Sequence, residues 1–463
     1  MRKILAEIEK LAEKFETEIY LTGGAIRDIL LDREINDFDF AVKDYSERIS
    51  KKFAEIISGT YLVLDKENKV YRVVKNGIDY DFTAIREDNI KKNLYKRDFT
   101  INSIALHYNF FDIIKENSFQ KDDYIDRKIF IDPTGGIDDL ENSLISVAGP
   151  GHFADDPLRI LRAVRFKATL DFDIETNTEK EIINKKNLIK NSAPERVRDE
   201  LFKIFSINPL TEILKYMDYK LKLLTVIFPD IKYFKKQKLN MTENIDIWTH
   251  ILDMLNLYYE YSLEQKVDYS PSFEKSILMK FAIIFHAYRE KNFSQKNKFN
   301  LLKVENTLKD LKFSNQEVNY IKTVINYNNC VLLMNKYFNL TEDQIYNFFE
   351  EVRDYAPDIL FLFVLDFQSK QRLGNQYLAE VEMIDFVNNL LKKYRKMIKD
   401  IKNPILTGDE IMDVLNISEG PLVGKYLNSL KKYQALGKIN EKSDAINYIK
   451  KLQLNNKNNN LEQ

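Results

Sequence analysis

The 463-residue chain has one cysteine and four histidines. One cysteine cannot close an internal disulfide and cannot alone build a zinc site, which favours a reducing compartment and a cytoplasmic protein. Charge of one sign is not in excess either. Lys+Arg 70 against Asp+Glu 71 leaves a net −1, so there is no global basic field of the kind a non-specific nucleic-acid coat carries. Any nucleic-acid surface must be local. Uninterrupted apolar runs stop well short of the roughly 20 residues a membrane span needs. The opening MRKILAEIEKLAEKF interleaves charge with apolar residues where a signal peptide would have an apolar core, so no membrane association is expected. No fixed period of about 20 to 50 residues recurs, which argues against a solenoid. What is present is enough for a folded protein. A hydrophobic fraction of 44% excludes a mostly disordered chain. Only the terminal NNKNNNLEQ reads as a loose tail. At roughly 150 residues per domain the length suggests about three units.

The patterning changes character once. Ile4, Leu5, Ile8, Leu11, Ala12 and Phe15 fall on one face of an expected helix over 4–15. Strand-like segments follow at 18–22, 37–42, 61–64, 70–74 and 78–85, with a short helix over 25–31 after Gly23 and Gly24. Glycines in the GGID and VAGPG stretches mark turns before position 155. From Pro157 onward, segments such as PLRILRAVRFKATL and SILMKFAIIFHAYR have helical spacing.

The segment LTGGAIRDILLDREINDFDFAV combines two requirements of phosphoryl transfer. Glycines between a strand and a helix let backbone N–H groups approach an anion, and Arg27 adds a charged clamp. In a strand, residues i and i+2 share a face. Asp37 and Asp39 therefore project together, while Phe38 and Phe40 point into the core. Two such carboxylates suit a metal pair that activates a hydroxyl and neutralises a leaving pyrophosphate. A solvated polar face on an edge strand, with the glycines as an ordinary turn, would look the same in these residues alone.

The ordered motifs GGxxRDxLL, DxD and RDFTIN resemble those of the class II tRNA nucleotidyltransferases, the family that includes CCA-adding enzymes and bacterial poly(A) polymerases. The resemblance runs from Tyr20 to Phe205 and continues more weakly to Ile449. It implies an α+β architecture: a polymerase-beta-like mixed α/β nucleotidyltransferase head over 1–150, a helical neck over 151–215, a helical body over 216–395 and a helical tRNA-binding tail over 396–463. It implies that Asp37 and Asp39 bind catalytic Mg²⁺, with Asp81 as an auxiliary carboxylate. Gly23, Gly24, Arg27 and Asp28 are expected to shape the triphosphate pocket.

KRDFTINSIAL corresponds to the family's ribose and triphosphate motif, which assigns Arg97, Asp98 and Asn102 to those groups. A carboxylate and an amide suit ribose hydroxyls, and helix capping by Asp98 or Thr100 is the competing reading. DDPLRILRAVRF resembles the family's EDxxR base-reading motif, with Asp155 where Glu is common. It places Asp156 and Arg159 on the incoming base, where an acceptor and a forked donor replace a template. Asp156 capping a helix with Pro157 at its first position fits the same residues. Arg162 and Arg165, one and two turns on, are candidates for phosphate or RNA. Glu195 and Arg196 of SAPERVRDEL are expected to buttress the base-reading helix. Between Arg159 and Lys203 there are 11 Lys+Arg and 8 Asp+Glu, a modest basic patch.

Further on, IDIWTHILDML and LMKFAIIFHAYR are similar to a degenerate HD-like region. His286 is followed by Ala287 in place of the aspartate a working HD hydrolase needs, so His250 and His286 read as structural. TGDEIMDVLNISEGPLVGKYLNSL resembles the family's tail motif, with Pro421, Gly424 and Lys425 opening a helix toward the backbone of the tRNA acceptor and T arms, and Lys431 and Lys432 adding charge. Only EDNIKKNLY separates TAIR from the RDFTIN motif, where enzymes adding both C and A carry a longer segment. That shortness resembles the CC-adding subgroup, with CTP as substrate and ATP for a terminal A as the open alternative. A poly(A) polymerase is disfavoured because GTYLVLDKENKVYRVV lacks a GRRF-like run. A silent RNA-binding protein and an HD-type phosphohydrolase are the rivals from other classes.

Overall fold

A computed structural model describes residues 2–86, 89–116, 127–239, 245–289, 297–335, 340–374 and 380–459. Glu87 and Asp88 of the short segment, and the final four residues of the tail, lie outside them. The chain forms two compact units, 1–207 with 213–229, and 208–212 with 230–463.

The first unit opens with helix α1, Arg2–Phe15, which buries Leu5, Ile8, Leu11 and Ala12. A seven-stranded sheet follows, in the order β3-β4-β5-β2-β1-β6-β7. Its strands are β1 Ile19–Thr22, β2 Asp37–Val42, β3 Thr60–Asp65, β4 Val70–Lys75, β5 Ile78–Ala84, β6 Ala105–His107 and β7 Phe130–Ile131. All pairings are antiparallel except β2 with β5. The Asn76–Gly77 turn has positive φ at both residues (53° and 78°) and pairs Lys75 with Ile78. This is the two-residue hairpin whose twist matches the strands. Helix α2, Gly24–Leu30, lies between β1 and β2. Helix α3, Ser46–Ile57, which the strand-by-strand reading passed over, covers one sheet face. There Phe38 and Phe40 stack on Tyr80 and Phe82 at 5.3 and 5.2 Å, and Phe53 of α3 packs edge-on against Tyr80. Such pairs add about 0.5–1.5 kcal/mol each beyond area burial, and they force the aspartates of β2 to the opposite face.

Head and neck, expected to divide at 150, form one unit. The strand Leu144–Ile145 pairs in parallel with Asp173–Ile174, and Phe99 packs edge-on against Phe166 of the helix Arg159–Leu170 at 5.6 Å. No apolar seam is left between them to separate.

The second unit, in its described residues, is helical. Asp246, Ser272, Thr341 and Thr407 cap four of its helices by accepting the N–H three residues on, and Thr341 and Thr407 complete capping boxes with Gln344 and Glu410. Each cap is worth about 1 kcal/mol. The expected break at 395 falls inside the unbroken helix Glu380–Lys402. The final helix, Lys442–Asn459, runs into the expected loose tail, because each added residue continues an existing ladder of backbone bonds. No described helix is long and apolar enough to cross a membrane.

Candidate active site

The parallel register of β2 on β5 sets Asp37 beside Asp79 and Asp39 beside Asp81. Carboxylate oxygens of Asp37, Asp39 and Asp81 come within 4.8 Å of one another. Burial first, then the neighbouring charges of Asp39 and Asp81, push the Asp37 carboxyl up to about 6, with Arg72 opposing. Three like charges this close call for a counter-cation, and an all-oxygen donor set suits a hard divalent ion. Arg72 of β4 supplies part of the compensation. Its Nε and Nη2 each donate to one oxygen of Asp81 at 2.7 Å, and Nη1 lies 2.6 Å from Asp79. Asp81 is thus oriented by a two-pronged arginine, while Asp37 and Asp39 keep their oxygens turned outward.

Gly23 sits against this cluster with φ +74°, and a Cβ there would lie 2.3 Å from Asp39 Oδ2 and 2.4 Å from Arg97 Nη1. Any side chain at Gly23 would collide with both. Arg97 donates to Thr22 Oγ1 at 2.6 Å and approaches Asp39 at 3.5 Å, a cation beside the carboxylates on the strand end that α2 follows. Gly24, the first residue of α2, faces the Arg27 guanidinium. Arg27 itself is engaged, donating to both oxygens of Asp28 at 2.9 and 2.8 Å and to Asn102 Oδ1 at 2.8 Å. It also stacks over Phe166 at 5.1 Å.

The residues expected at the ribose are arranged differently from a pair of free readers. Asp98 and Asn102 are buried. Asp98 accepts from the Phe99 N–H, from Asn102 Nδ2 at 3.0 Å and from Arg162 Nε at 2.7 Å. Burial would raise its carboxyl, but Arg162 and these hydrogen bonds outweigh it and hold it below the usual carboxylate range. Arg162 is therefore the partner of Asp98. Arg165, expected at RNA, donates to buried Glu200 at 2.8 Å and stacks over Phe166 at 4.4 Å. Its guanidinium braces the neck, because an arginine this close to a buried carboxylate is its charge partner.

Asp156 and Arg159 stand at the start of the neck helix. Asp156 accepts from the Leu158 N–H at 3.2 Å and from Arg196 Nη2 at 2.9 Å. Arg196 thus braces Asp156 ahead of the neck helix. With Pro157 next and its own carbonyl accepting the Arg159 N–H at 3.1 Å, Asp156 also caps the turn that leads into the helix Arg159–Leu170. Arg159 donates to the Lys96 and His152 carbonyl oxygens at 2.9 and 3.4 Å.

Residues 19–146 match the family described as the poly A polymerase head domain, and residues 171–235 match the probable RNA and SrmB-binding site of polymerase A. A CC-adding tRNA nucleotidyltransferase of Geobacter sulfurreducens is 37% identical over 190 residues, covering 41% of this chain and 40% of the relative. An A-adding tRNA nucleotidyltransferase of Deinococcus radiodurans is 23% identical, covering 93% of this chain and 94% of the relative. Over those segments the chain matches the poly A polymerase family, and both relatives are tRNA nucleotidyltransferases. A solved structure of the Thermotoga maritima CCA-adding enzyme complexed with tRNA_CCA has the same fold, with TM-score 0.63 at 20% identity over 96% of this chain and 94% of that one. Nucleotidyltransferases of this kind generally use a divalent metal, and the oxygen cluster of β2 and β5 fits one.

Some parts of this candidate site escaped the sequence. Arg72, Thr22 and Asp79 were not anticipated, yet the Asn-Gly turn pins the β4–β5 register and so pairs Arg72 with Asp81. In the tail, the helix Pro421–Ala435 has Pro421 at its first position and exposes Gly424 and Lys425. Lys432 is instead paired with Asp343 at 3.3 Å. His250 and His286 are buried together beside Asp366.

Proposed function

We propose that this protein is a template-independent, Mg²⁺-dependent tRNA nucleotidyltransferase of the cytoplasm. It adds CMP from CTP to the 3′ end of tRNA lacking its CCA terminus, and releases pyrophosphate. The observation that carries the reading is the Asp37, Asp39 and Asp81 cluster with Arg72 behind it and Arg97 beside it. The likeness to tRNA nucleotidyltransferases supports it.

In the reaction, the terminal 3′-hydroxyl of the tRNA forms a bond to the α-phosphorus of the nucleotide while the bond to pyrophosphate breaks. Asp37 and Asp39 would hold Mg²⁺, which supplies Lewis-acid polarisation and charge neutralisation when bound. Arg72 keeps Asp81 turned to that pair. Arg97 takes triphosphate charge on the strand end, and Gly23 keeps the approach clear of side chains. Asp156, locked by Arg196, accepts from the exocyclic amine of the base, and Arg159 donates to its ring acceptors. Asp98, Asn102, Arg27 and Arg162 hold the floor of the pocket as one hydrogen-bonded group, positioning the motif without a free carboxylate at the ribose. The exposed start of the tail helix, with Gly424 and Lys425, serves the acceptor and T arms by shape and charge.

The short stretch after TAIR supports addition of CC alone. Addition of the terminal A is the second reading, since an A-adding relative at 23% identity and a CC-adding one at 27% both align along 93% of the chain. Incubating the protein and Mg²⁺ with tRNA lacking three, two or one of its terminal nucleotides, with CTP, ATP or both, and sequencing the 3′ ends decides between them. Two cytidines with both nucleotides present support the CC reading. AMP added only to tRNA ending in CC overturns it in favour of the A reading, long A tracts would move the protein to poly(A) synthesis, and no extension would leave a silent binder.

A further inference from the structure

Between Arg97 and the two base readers lies a buried histidine that the proposed reaction does not use. The carbonyl oxygens of Lys96, Arg97 and Asp98 are each taken up by the stretch 148–159. Arg159 Nη2 donates to Lys96 at 2.9 Å, His152 Nδ1 lies 2.9 Å from the Arg97 oxygen, and the Ala148 N–H donates to Asp98 at 3.1 Å. His152 stands at the junction. Its own carbonyl oxygen accepts from the Asp156 N–H at 3.2 Å and from Arg159 Nη1 at 3.4 Å. The ring thus grips the main chain of Arg97, whose guanidinium approaches Asp39, while the carbonyl of the same histidine holds both residues placed at the base.

Local sequence fixes the ring there. His152 opens the short helix His152–Asp155 after Gly151, whose φ of +84° favours glycine. A Cβ on Gly149 would lie 3.0 Å from His152 Nε2, so the imidazole rests on backbone left bare. A carbonyl oxygen can only accept, which puts the ring proton on Nδ1. Burial first, and the Arg159 charge after it, hold the ring below the usual histidine range, with the Arg97 carbonyl, Asp155 and Glu181 opposing. A neutral ring adds no charge beside the guanidinium. The contacts of Arg159 to Lys96 and His152 fix the plane of its fork, and its other N–H groups remain for ring acceptors. A forked donor discriminates between bases only when its plane is held, since a swivelling one meets several acceptor patterns.

We propose that His152 is a positioning residue for nucleotide choice, its Nδ1–H bond to the Arg97 carbonyl setting Asp156 and Arg159 in register with the triphosphate, given those two as the base contacts of the proposed function. It acts through them and not by touching the base.

The test measures kcat/KM for CTP over UTP on tRNA lacking its last three nucleotides, and for ATP over GTP on tRNA ending in CC, with the full chain. In His152→Ala the ratio for the nucleotide pair in use should fall about tenfold, through a higher KM for the preferred nucleotide. His152→Asn, whose amide nitrogen takes the place of Nδ1, should bring the ratio back to within about threefold of the parent. His152→Gln, with its amide one bond further out, should not. Adding His152→Ala to Arg159→Ala should lower the ratio by less than about twofold beyond Arg159→Ala alone, since the histidine works through the arginine. Urea midpoints check that each variant is folded, and the asparagine–glutamine pair decides where alanine does not fold. A folded His152→Ala protein with the parent ratio overturns the proposal, and leaves the base readers in place if Arg159→Ala still narrows that ratio. Equal losses in the asparagine and glutamine variants also overturn it, because the hydrogen bond is then not the agent. If Arg159→Ala leaves the ratio unchanged, or the parent extends no tRNA, the base contacts themselves fall and the positioning role falls with them.

Discussion

The carboxylates of β2 and β5 and the histidine cluster of the second unit both bring three ligand atoms together, and they differ in nearly everything else. In the head the donors are all oxygens, and burial first, with repulsion from Asp39 and Asp81 after it, pushes the Asp37 carboxyl up to about 6. Compensation is partial, through Arg72 on Asp81 and Asp79 and the more distant Arg97 on Asp39. In the second unit the donors are two nitrogens and an oxygen, closed off from water and fixed from behind by Ile283 and Ser369. The first arrangement is costly unless a cation and a triphosphate arrive, which is what a catalytic site requires. The second is already satisfied within the protein, because His250 hydrogen-bonds Asp366 and Lys370 pairs the same carboxylate. The difference teaches that convergence of ligands alone does not mark catalysis; unrelieved charge open to solvent does.

Asp39→Asn should break the comparison most severely. Removing one carboxylate from the head is expected to lower incorporation by about a thousandfold or more, read by gel extension of tRNA with radiolabelled CTP, while tRNA affinity in a filter-binding assay stays within about twofold. An Asp39→Asn enzyme of near-normal rate would show that the open cluster is not the catalytic one. Arg162→Ala comes next, because it leaves Asp98 buried with its main charge partner gone. A loss of about 3 kcal/mol is expected, seen as a lower denaturation midpoint in urea, and an unchanged midpoint would mean that Asp98 is not a buried charge held by Arg162.

Arg72→Ala should lower the incorporation rate constant by about tenfold, with Arg72→Lys recovering little because a single ammonium cannot make the two-pronged contact. The Mg²⁺ concentration for half-maximal rate should rise at the same time. A lower rate with no change in Mg²⁺ dependence would detach Arg72 from the cluster. Arg159→Ala should narrow the preference for CTP over competing nucleotides, measured as the ratio of kcat/KM values, by about tenfold if the guanidinium is worth roughly 1–3 kcal/mol of discrimination. The smallest effect is on stability against pH without metal. The folded-state pKa of Asp37 is raised above its ordinary value, so the folded chain holds a proton that the unfolded chain has lost. Stability should therefore fall as pH rises from about 4 through about 6, by at most about 1 kcal/mol given access to solvent. Asp37→Asn should remove that part of the slope in apo-protein urea melts at successive pH values.

Much of the head was legible because its signals are local. Alternation around Phe38 and Phe40 put Asp37 and Asp39 on one face. The neck was harder to read. Arg162 and Arg165 look like free phosphate contacts on a helix written as RILRAVRF, but each meets a carboxylate distant in sequence, Asp98 and Glu200. Nothing local distinguishes a cation awaiting a ligand from one already paired. Asp98 and Asn102 were misplaced for the same reason, since the motif names them but not the arginines that consume their hydrogen bonds. The expected boundaries at 150 and 395 rested on changes of pattern, and a change of pattern does not prevent strand pairing or helix continuity across it.

Periodicity, turn residues and ordered motifs, all readable along the chain, determined the elements of the head, the face its aspartates occupy and its likeness to the tRNA nucleotidyltransferases. Tertiary structure alone decided that Asp81 stands beside Asp39, that Arg72 holds it, that Arg162 belongs to Asp98, and that His250, His286 and Asp366 meet. The physical reason is that local preferences act over a few residues, whereas parallel pairing of β2 with β5 and burial of paired charges depend on contacts between segments far apart in the chain.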